Sequence, residues 1–176
     1  VCFRFTAGMR VGEAVTSEVL GQVVLDPARA IFVSNLTGKV EGIGTMDDPI
    51  NSITLAMTTP DKDFYIMHGD SDINNGIYVL ANQLDIPEGV SLFGGYNNNW
   101  VKAGQTKLQK FNSVLESAVN IEHDASEMWF SGFDVRYQGN HSAIEVKGSG
   151  SEVASSSLNI TNNIIFDFIQ GNDNNY

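Results

Sequence analysis

Short apolar segments separated by polar stretches dominate the chain from Ile31 onward. They are rich in Val, Ile and Phe, and several alternate apolar with polar residues, which is the pattern of β-strands. Most are followed within three residues by Gly or Asn, residues that turn a chain. The pattern predicts strands over 31–35, 64–67, 76–79, 84–86, 90–96, 117–121, 128–137, 143–146 and 158–168. Good helix formers are sparse after residue 60, so we predict an all-β fold.

The first thirty residues have a different pattern. Val11, Val15, Val19 and Val23 recur every four positions, which is a helical spacing, although a glycine interrupts it and a pair of strands fits the same stretch. We predict an N-terminal cap or leader segment over 1–30 that carries no chemistry.

One short helical turn is predicted within the β region. A Gly-rich loop over 42–49 precedes the apolar positions of 50–57, and Thr-Thr-Pro at 58–60 ends the turn. Asp48 is the predicted N-cap, with Pro49 at the first helical position.

The later strands repeat a common plan. The segments 128–135 and 158–166 begin 30 residues apart, and in each an apolar strand meets a Gly or Asn-Asn corner before a second strand resumes. A recurrence in this range predicts a solenoid of stacked rungs, each rung being one turn of the chain. Residues 31–176 then make about five rungs and about 25 Å of solenoid.

Composition supports frequent tight corners. The chain has 17 Gly and 17 Asn among 176 residues but only 4 Pro. Gly and Asn accept a left-handed backbone at little cost, which a short corner between two strands requires.

Charge and cysteine content exclude several classes of function. The net charge of −11 disfavours a nucleic-acid partner, because neutralising phosphates needs clustered Lys and Arg. Cys2 is the single cysteine, which excludes an intrachain disulfide framework, a multi-cysteine zinc site and an iron–sulfur cluster. No apolar run approaches the 18 residues of a membrane-spanning helix.

A series of segments resembles the opening of a right-handed parallel β-helix of the pectate-lyase-like superfamily. The segments are Ile31-Phe32-Val33, Gly44-Thr45, Asp48-Pro49-Ile50, Gly76-Ile77-Tyr78 and Ile86-Pro87-Glu88-Gly89-Val90-Ser91-Leu92-Phe93-Gly94-Gly95-Tyr96. The resemblance covers 31–100 well and 101–176 loosely. It implies a β-helix over 31–176 in a bacterial secreted or cell-surface protein, and says little about activity, because that fold carries lyases, hydrolases, adhesins and spacers.

The ends of such a stack need covers, because open strand edges pair with other chains. The chain stops shortly after a predicted strand, with Gly-Asn-Asp-Asn-Asn-Tyr at 171–176. We therefore expect a C-terminal truncation, with further rungs or a partner subunit covering that end.

The sharpest candidate for chemistry is the polar loop 68–76. Asp70, Asp72 and Asn74 lie at alternate positions and offer three oxygen ligands to one hard cation, so Ca²⁺ is the one cofactor considered. The alternative is a polar turn that joins two strands.

A catalytic cluster is considered on the later strands and is not favoured. Asp134 and Arg136 point outward if Phe133 and Val135 point inward, and Glu145 has the same relation to its neighbours. In the resembled family, lyases and polygalacturonases carry Asp with Arg, Lys or His on the outside of neighbouring strands. The alternative is a solvated face of ion pairs.

Four aromatic residues are candidates for stacking on sugar rings: Tyr96, Trp100, Trp129 and Tyr137. The alternative is that they pack inside the solenoid. Taken together, the sequence favours a non-catalytic scaffold or adhesin-like segment, extracellular or at a cell surface, with a glycan or another surface protein as partner. A β-helix that binds or degrades polysaccharide is the second hypothesis.

Overall fold

The computed structural model describes residues 28–69, 77–113, 115–148 and 157–169. Twelve strands and one short helix, α1, occur within these ranges. The strands are β1 (Ala30–Val33), β2 (Phe64–His68), β3 (Ile77–Val79), β4 (Leu84–Ile86), β5 (Ser91–Tyr96), β6 (Thr106–Ser113), β7 (Val119–Glu122), β8 (Met128–Ser131), β9 (Phe133–Gly139), β10 (Ile144–Lys147), β11 (Leu158–Thr161) and β12 (Ile164–Ile169), and α1 spans Ile53–Ala56.

The strands stack in three parallel sheets. The first sheet has the order β1-β2-β5-β8-β11, the second β3-β6-β9-β12 and the third β4-β7-β10. From β2 onward, every third strand in the chain returns to the same sheet, so the chain winds as a parallel β-helix of about four turns. The predicted all-β solenoid is confirmed.

Side chains of like position stack into ladders along the helix axis. Leu158 pairs with Met128 and Ile160 with Phe130, which confirms the 30-residue recurrence. Three inward ladders form the core: Ile31–Tyr65–Leu92–Phe130–Ile160 in the first sheet, Tyr78–Leu108–Val135–Ile165 in the second and Ile86–Ile121–Val146 in the third. Parallel pairing in register keeps each ladder on one face of its sheet.

The corners between the first and second sheets use the residues that composition predicted. Gly132 has φ 86° and Asn162 has φ 54°, both in the left-handed region. At the corner below, a Cβ on Gly94 would lie 2.6 Å from the carbonyl oxygen of Gly132, so close stacking of the corners excludes a side chain there.

The segment 34–57 closes the N-terminal end of the core. Ile50 accepts the N–H of Ser34 and donates its own N–H to Phe32, so the free edge of β1 is paired. Tyr78 donates its hydroxyl to the carbonyl of Val33, and Ile53 of α1 packs into the core with 2 % exposure. The predicted cap over 1–30 lies outside the described residues except for 28–30.

The prediction that Asp48 caps the helical turn is wrong. The helix begins later, and its N-cap is Ser52, whose side chain accepts the N–H of Leu55 at 3.4 Å. Asp48 instead accepts a hydrogen bond from Lys39 Nζ at 2.9 Å, which lowers the pKa of the Asp48 carboxyl. Ile50 forms an isolated parallel bridge with Val33 of β1, and the helix begins only after that bridge, at Ile53.

Strand β6 was not predicted, and the single strand predicted over 158–168 is divided into β11 and β12 by an Asn-Asn corner. Ile160 continues the ladder of Phe130, but Ile164 pairs with Asp134, an outward position, and Ile165 takes the inward one. The Asn-Asn corner shifts the alternation by one residue.

Candidate functional site

Asp134 and Arg136 form an ion pair on the outer face of the second sheet. Arg136 Nη2 lies 3.0 Å from Asp134 Oδ2, and Arg136 Nε donates to both carboxylate oxygens at 3.2 and 3.3 Å. These hydrogen bonds raise the pKa of the guanidinium. Lys107 and Ile164 flank Asp134 in register, and only 6 % of Asp134 is exposed. The carboxylate is therefore enclosed by its own sheet.

Glu145, the third catalytic candidate, lies on a different sheet. It belongs to β10 of the third sheet, whereas Asp134 belongs to β9 of the second. Lys147 Nζ approaches Glu145 Oε2 at 3.3 Å on the same strand. Each acidic candidate is thus paired with the base two residues further along its own strand, and the two pairs occupy different faces of the β-helix.

Two of the four candidate aromatic residues help to cover the outer face of the first sheet. Tyr96 and Trp100 belong to an outer cluster with Ala30, Phe32, Ile66 and Phe93. Trp100 meets Phe32 edge to face with ring centroids 4.8 Å apart, and its Nε1 donates to the carbonyl of Met46 at 2.9 Å. Burial raises the pKa of Tyr96 to about 12.

The other two aromatic residues have contrasting environments. Tyr137 is fully buried, where its hydroxyl donates to the carbonyl of Glu116 and accepts the N–H of His141. Trp129 is half-buried at the margin of the outer cluster, with Asn159 beside it in register. Among the four, Trp129 keeps the largest accessible surface.

Lys102 is a site residue that the sequence did not single out. Its ammonium donates to the carbonyl of Gly94 and lies 5.5 Å from the centre of the Tyr96 ring. Desolvation lowers the pKa of Lys102 to about 8. The missing Cβ atoms of Gly95 and Gly132 leave the room that this ammonium occupies. The sequence indicated the glycine corners, but it did not indicate that the side chain of Lys102 lies against them.

A column of polar residues on the third sheet was also missed. Asp85, Asn120 and Glu145 pair in register on successive rungs. Each stands between two apolar residues, in Leu84–Ile86, Val119–Ile121 and 144–146, so the repeated apolar-polar-apolar triplet was the signal available.

The predicted calcium ligands Asp70, Asp72 and Asn74 lie outside the described residues. The calcium prediction for that loop stays a prediction. Within the described ranges, no helix has the length and apolar character that crossing a membrane requires.

Comparisons with known protein families, with curated proteins and with solved structures found no match for this chain. The parallel β-helix is shown by the strand pairing alone. The resemblance to the pectate-lyase-like superfamily stays a prediction.

Proposed function

We propose that this chain is a non-catalytic β-helix segment of a secreted or cell-surface bacterial protein, where it acts as a rigid display scaffold or adhesin-like element. The observation that carries the proposal is the pairing of the outward charges. Asp134 is enclosed and bound by Arg136, and Glu145 is paired with Lys147 on another face. General acid–base cleavage of a sugar needs two carboxyl groups about 5–9.5 Å apart on either side of one bond.

The packing of the rungs also supports a scaffold role. The inward ladders of the middle rungs are almost completely buried, and the first sheet carries a second apolar layer on its outside. A doubly packed sheet resists bending, which suits a spacer that holds other surfaces at a fixed distance.

A polysaccharide panel tests the proposal. We expect the purified chain to release neither reducing ends nor unsaturated products from plant, algal and bacterial polysaccharides. Turnover that disappears in a folded Asp134→Asn variant, and persists in the control Glu127→Gln on an exposed residue, would show that the chain is an enzyme.

Glycan binding is the second candidate function, and the exposure of Trp129 favours it. Asn159 pairs with Trp129 in register, and two residues further along the same strands the hydroxyl of Thr161 donates to Ser131 Oγ at 3.1 Å. An apolar ring face with amide and hydroxyl groups beside it suits a neutral sugar. A glycan array should then identify a ligand whose binding is lost in Trp129→Ala and retained in Trp100→Phe.

We also propose that further parallel rungs cover the C-terminal edge of the described β-helix. The ladder residues Val146, Ile160 and Ile165 are 41–49 % exposed there, although their partners one rung below are buried. In a longer chain that carries these rungs, Ile165→Lys should destabilise the fold, because the lysine would be buried between two rungs. In the 176-residue chain, where Ile165 is 49 % exposed, the same substitution should leave the fold intact. Concentration-dependent association of the wild-type chain that Ile165→Lys abolishes would identify a partner subunit instead.

A further inference from the structure

We propose that the outer face of the second sheet binds the same face of a second copy of this chain, so that two β-helices associate side by side with their axes parallel. The outward apolar residues of this sheet remain in contact with water: Val79 is 75 % exposed, Ile164 44 % and Phe166 43 %. They belong to its two edge strands, β3 and β12. Large apolar side chains exposed on one face are typical of a surface that binds another protein.

Charge separates this face from the outer face of the third sheet. The third sheet has three outward carboxylates and one ammonium, which leave a net −2, so two copies of that face repel each other. The second sheet has two outward cations and one carboxylate, which leave a net +1 in a chain of net charge −11. Two copies therefore meet less repulsion through the second sheet than through the third. The residues counted are Asp85, Glu122, Glu145 and Lys147 on the third sheet, and Lys107, Arg136 and Asp134 on the second.

A two-fold axis parallel to the β-helix axis brings apolar residues together at both edges of the face. Such an axis opposes each strand with the same strand of the second copy and exchanges the two outward positions of that strand. On β3, Ile77 of one copy then faces Val79 of the other. On β12, Ile164 of one copy faces Phe166 of the other. Burial of these apolar side chains supplies the attraction between the copies.

The two middle strands place complementary polar groups opposite each other under the same axis. In β9, the ion pair of Asp134 and Arg136 lies along the strand, so the pairs of the two copies run in opposite directions and each guanidinium lies opposite the acidic end of the other pair. In β6, Lys107 of one copy faces the amide of Gln109 of the other. A shift by one outward position would instead oppose Arg136 with Arg136, so the charges select the register.

The middle strands also offer hydrogen-bonding groups that a second copy can use. Asp134 accepts hydrogen bonds from Nε and Nη2 of Arg136, and Nη1 of Arg136 has no acceptor among the described residues. Within the described ranges, the ammonium of Lys107 and the side-chain amide of Gln109 likewise make no hydrogen bond to the chain. Bonds across the interface satisfy these groups when the face is buried, as buried polar groups require.

The size of the face predicts a weak dimer. The sheet has four strands. At a spacing of about 4.8 Å, with about six residues per strand at about 3.3 Å each, the face measures roughly 19 by 20 Å. Two copies then bury on the order of 1,000 Å² of accessible surface together, which is at the low end for specific complexes. We therefore expect a dissociation constant of about 10–100 µM.

Sedimentation velocity of the 176-residue chain tests the dimer. The average mass should rise from that of the monomer toward twice that value between about 1 and about 500 µM protein. Val79→Lys should raise the dissociation constant about tenfold or more, because it places an ammonium against an apolar side chain of the second copy. The matched control is Val40→Lys, the same substitution at a valine of the N-terminal closure that is 62 % exposed, and it should associate as the wild-type chain does.

Two substitutions at one middle position test the register. Gln109→Glu should lower the dissociation constant about threefold, because it opposes Lys107 of the second copy with a carboxylate. Gln109→Lys should raise it by a similar factor, because it opposes the same ammonium with a like charge. Ile165→Lys, at the C-terminal edge of the β-helix and on the inward side of β12, should leave the dissociation constant unchanged. Circular dichroism checks that every variant is folded.

The proposal is overturned if the wild-type chain stays monomeric up to about 500 µM. It is equally overturned if association is lost in Val40→Lys or Ile165→Lys and survives in Val79→Lys, since another surface would then hold the copies together. Equal dissociation constants for Gln109→Glu and Gln109→Lys would also exclude this face.

Discussion

The inward ladder residues are buried at the N-terminal end of the described β-helix and exposed at its C-terminal end. At the N-terminal end, Ile31, Tyr78 and Ile86 are 0–5 % exposed, although each lies on an edge strand. At the C-terminal end, the equivalent positions on the edge strands β10, β11 and β12 are 41–49 % exposed: Val146, Ile160 and Ile165. The residues at both ends are apolar, so side-chain type does not explain the difference.

The difference lies in the segment that crosses the end. At the N-terminal end, residues 34–57 pair with the free edge of β1, cover Tyr78 with a hydrogen bond from the N–H of Asn35 to its hydroxyl, and insert Ile53 into the core. A ladder buries every rung except its last, so a solenoid needs a segment of different structure to close each end. The N-terminal closure also satisfies backbone groups that an open edge exposes.

The largest effect on the free energy of unfolding is expected from shortening a side chain in the middle of one ladder. A second variant, in the last rung of the same ladder, gives the comparison. Phe130 lies in the middle of its ladder, stacked on Phe133 with ring centroids 4.4 Å apart, whereas Ile160 lies one rung above it. Phe130→Ala should lower the free energy of unfolding by about 3–5 kcal/mol, because a large cavity forms in a closed core. Ile160→Ala should cost about 1 kcal/mol, because much of that side chain is already in water.

Urea unfolding followed by circular dichroism measures both values. A cost for Ile160→Ala that approaches that of Phe130→Ala would mean that Ile160 is covered in solution, and the contrast between the two ends would then fail.

The next effect concerns the N-terminal closure. Ile53→Ala should cost about 2–4 kcal/mol, because Ile53 of α1 is buried in the main core. Leu55→Ala, on the exposed side of the same helix, is the matched control and should cost less than about 1 kcal/mol. Chemical denaturation compares the two variants directly. Equal costs would show that α1 does not close the core.

The architecture was predictable because its signals are local. Alternation of apolar and polar residues marks a strand within a few positions, and Gly132 and the Asn-Asn pair mark their corners without help from distant residues. The 30-residue spacing between two such units then indicated the stacking, which the pairing of Leu158 with Met128 confirms.

Other features depend on partners far along the chain. In β6, Lys110 pairs in register with the buried Tyr137 of β9, and Lys110 itself is only 4 % exposed. A lysine at an inward position keeps that side of β6 from looking apolar in the sequence. Trp100 is buried because the loop that contains Met46 lies over it. The rungs differ in length, so the sequence alone did not place Asp134 and Glu145 on separate sheets.

The smallest effect is expected from a link between two successive turns of the β-helix, just after β4 and β7. The carboxylate of Glu88 accepts the backbone N–H groups of Asp124 at 2.6 Å and Ala125 at 3.0 Å, and that of Ser126. Burial of Glu88 opposes ionisation, but the hydrogen bonds from the Ser126 side chain and the three N–H groups outweigh it. They lower the pKa of Glu88 from 4.5 to about 2.

The direction of the pH dependence follows from this pKa. A carboxyl whose pKa is lower in the folded state stabilises the fold above its unfolded pKa of 4.5, and that contribution disappears as the pH falls from 4.5 toward about 2. Because Glu88 is only partly buried, so that water screens its hydrogen bonds, we expect Glu88→Gln to cost only about 0.5–1.5 kcal/mol at pH 7. The difference between wild type and variant should shrink steadily as the pH is lowered to 2, and Glu127→Gln is the control for the loss of one exposed carboxyl group. Urea unfolding at a series of pH values measures this difference, and a gap that stays constant between pH 7 and pH 2 would show that the ionised carboxylate of Glu88 does not join the two turns.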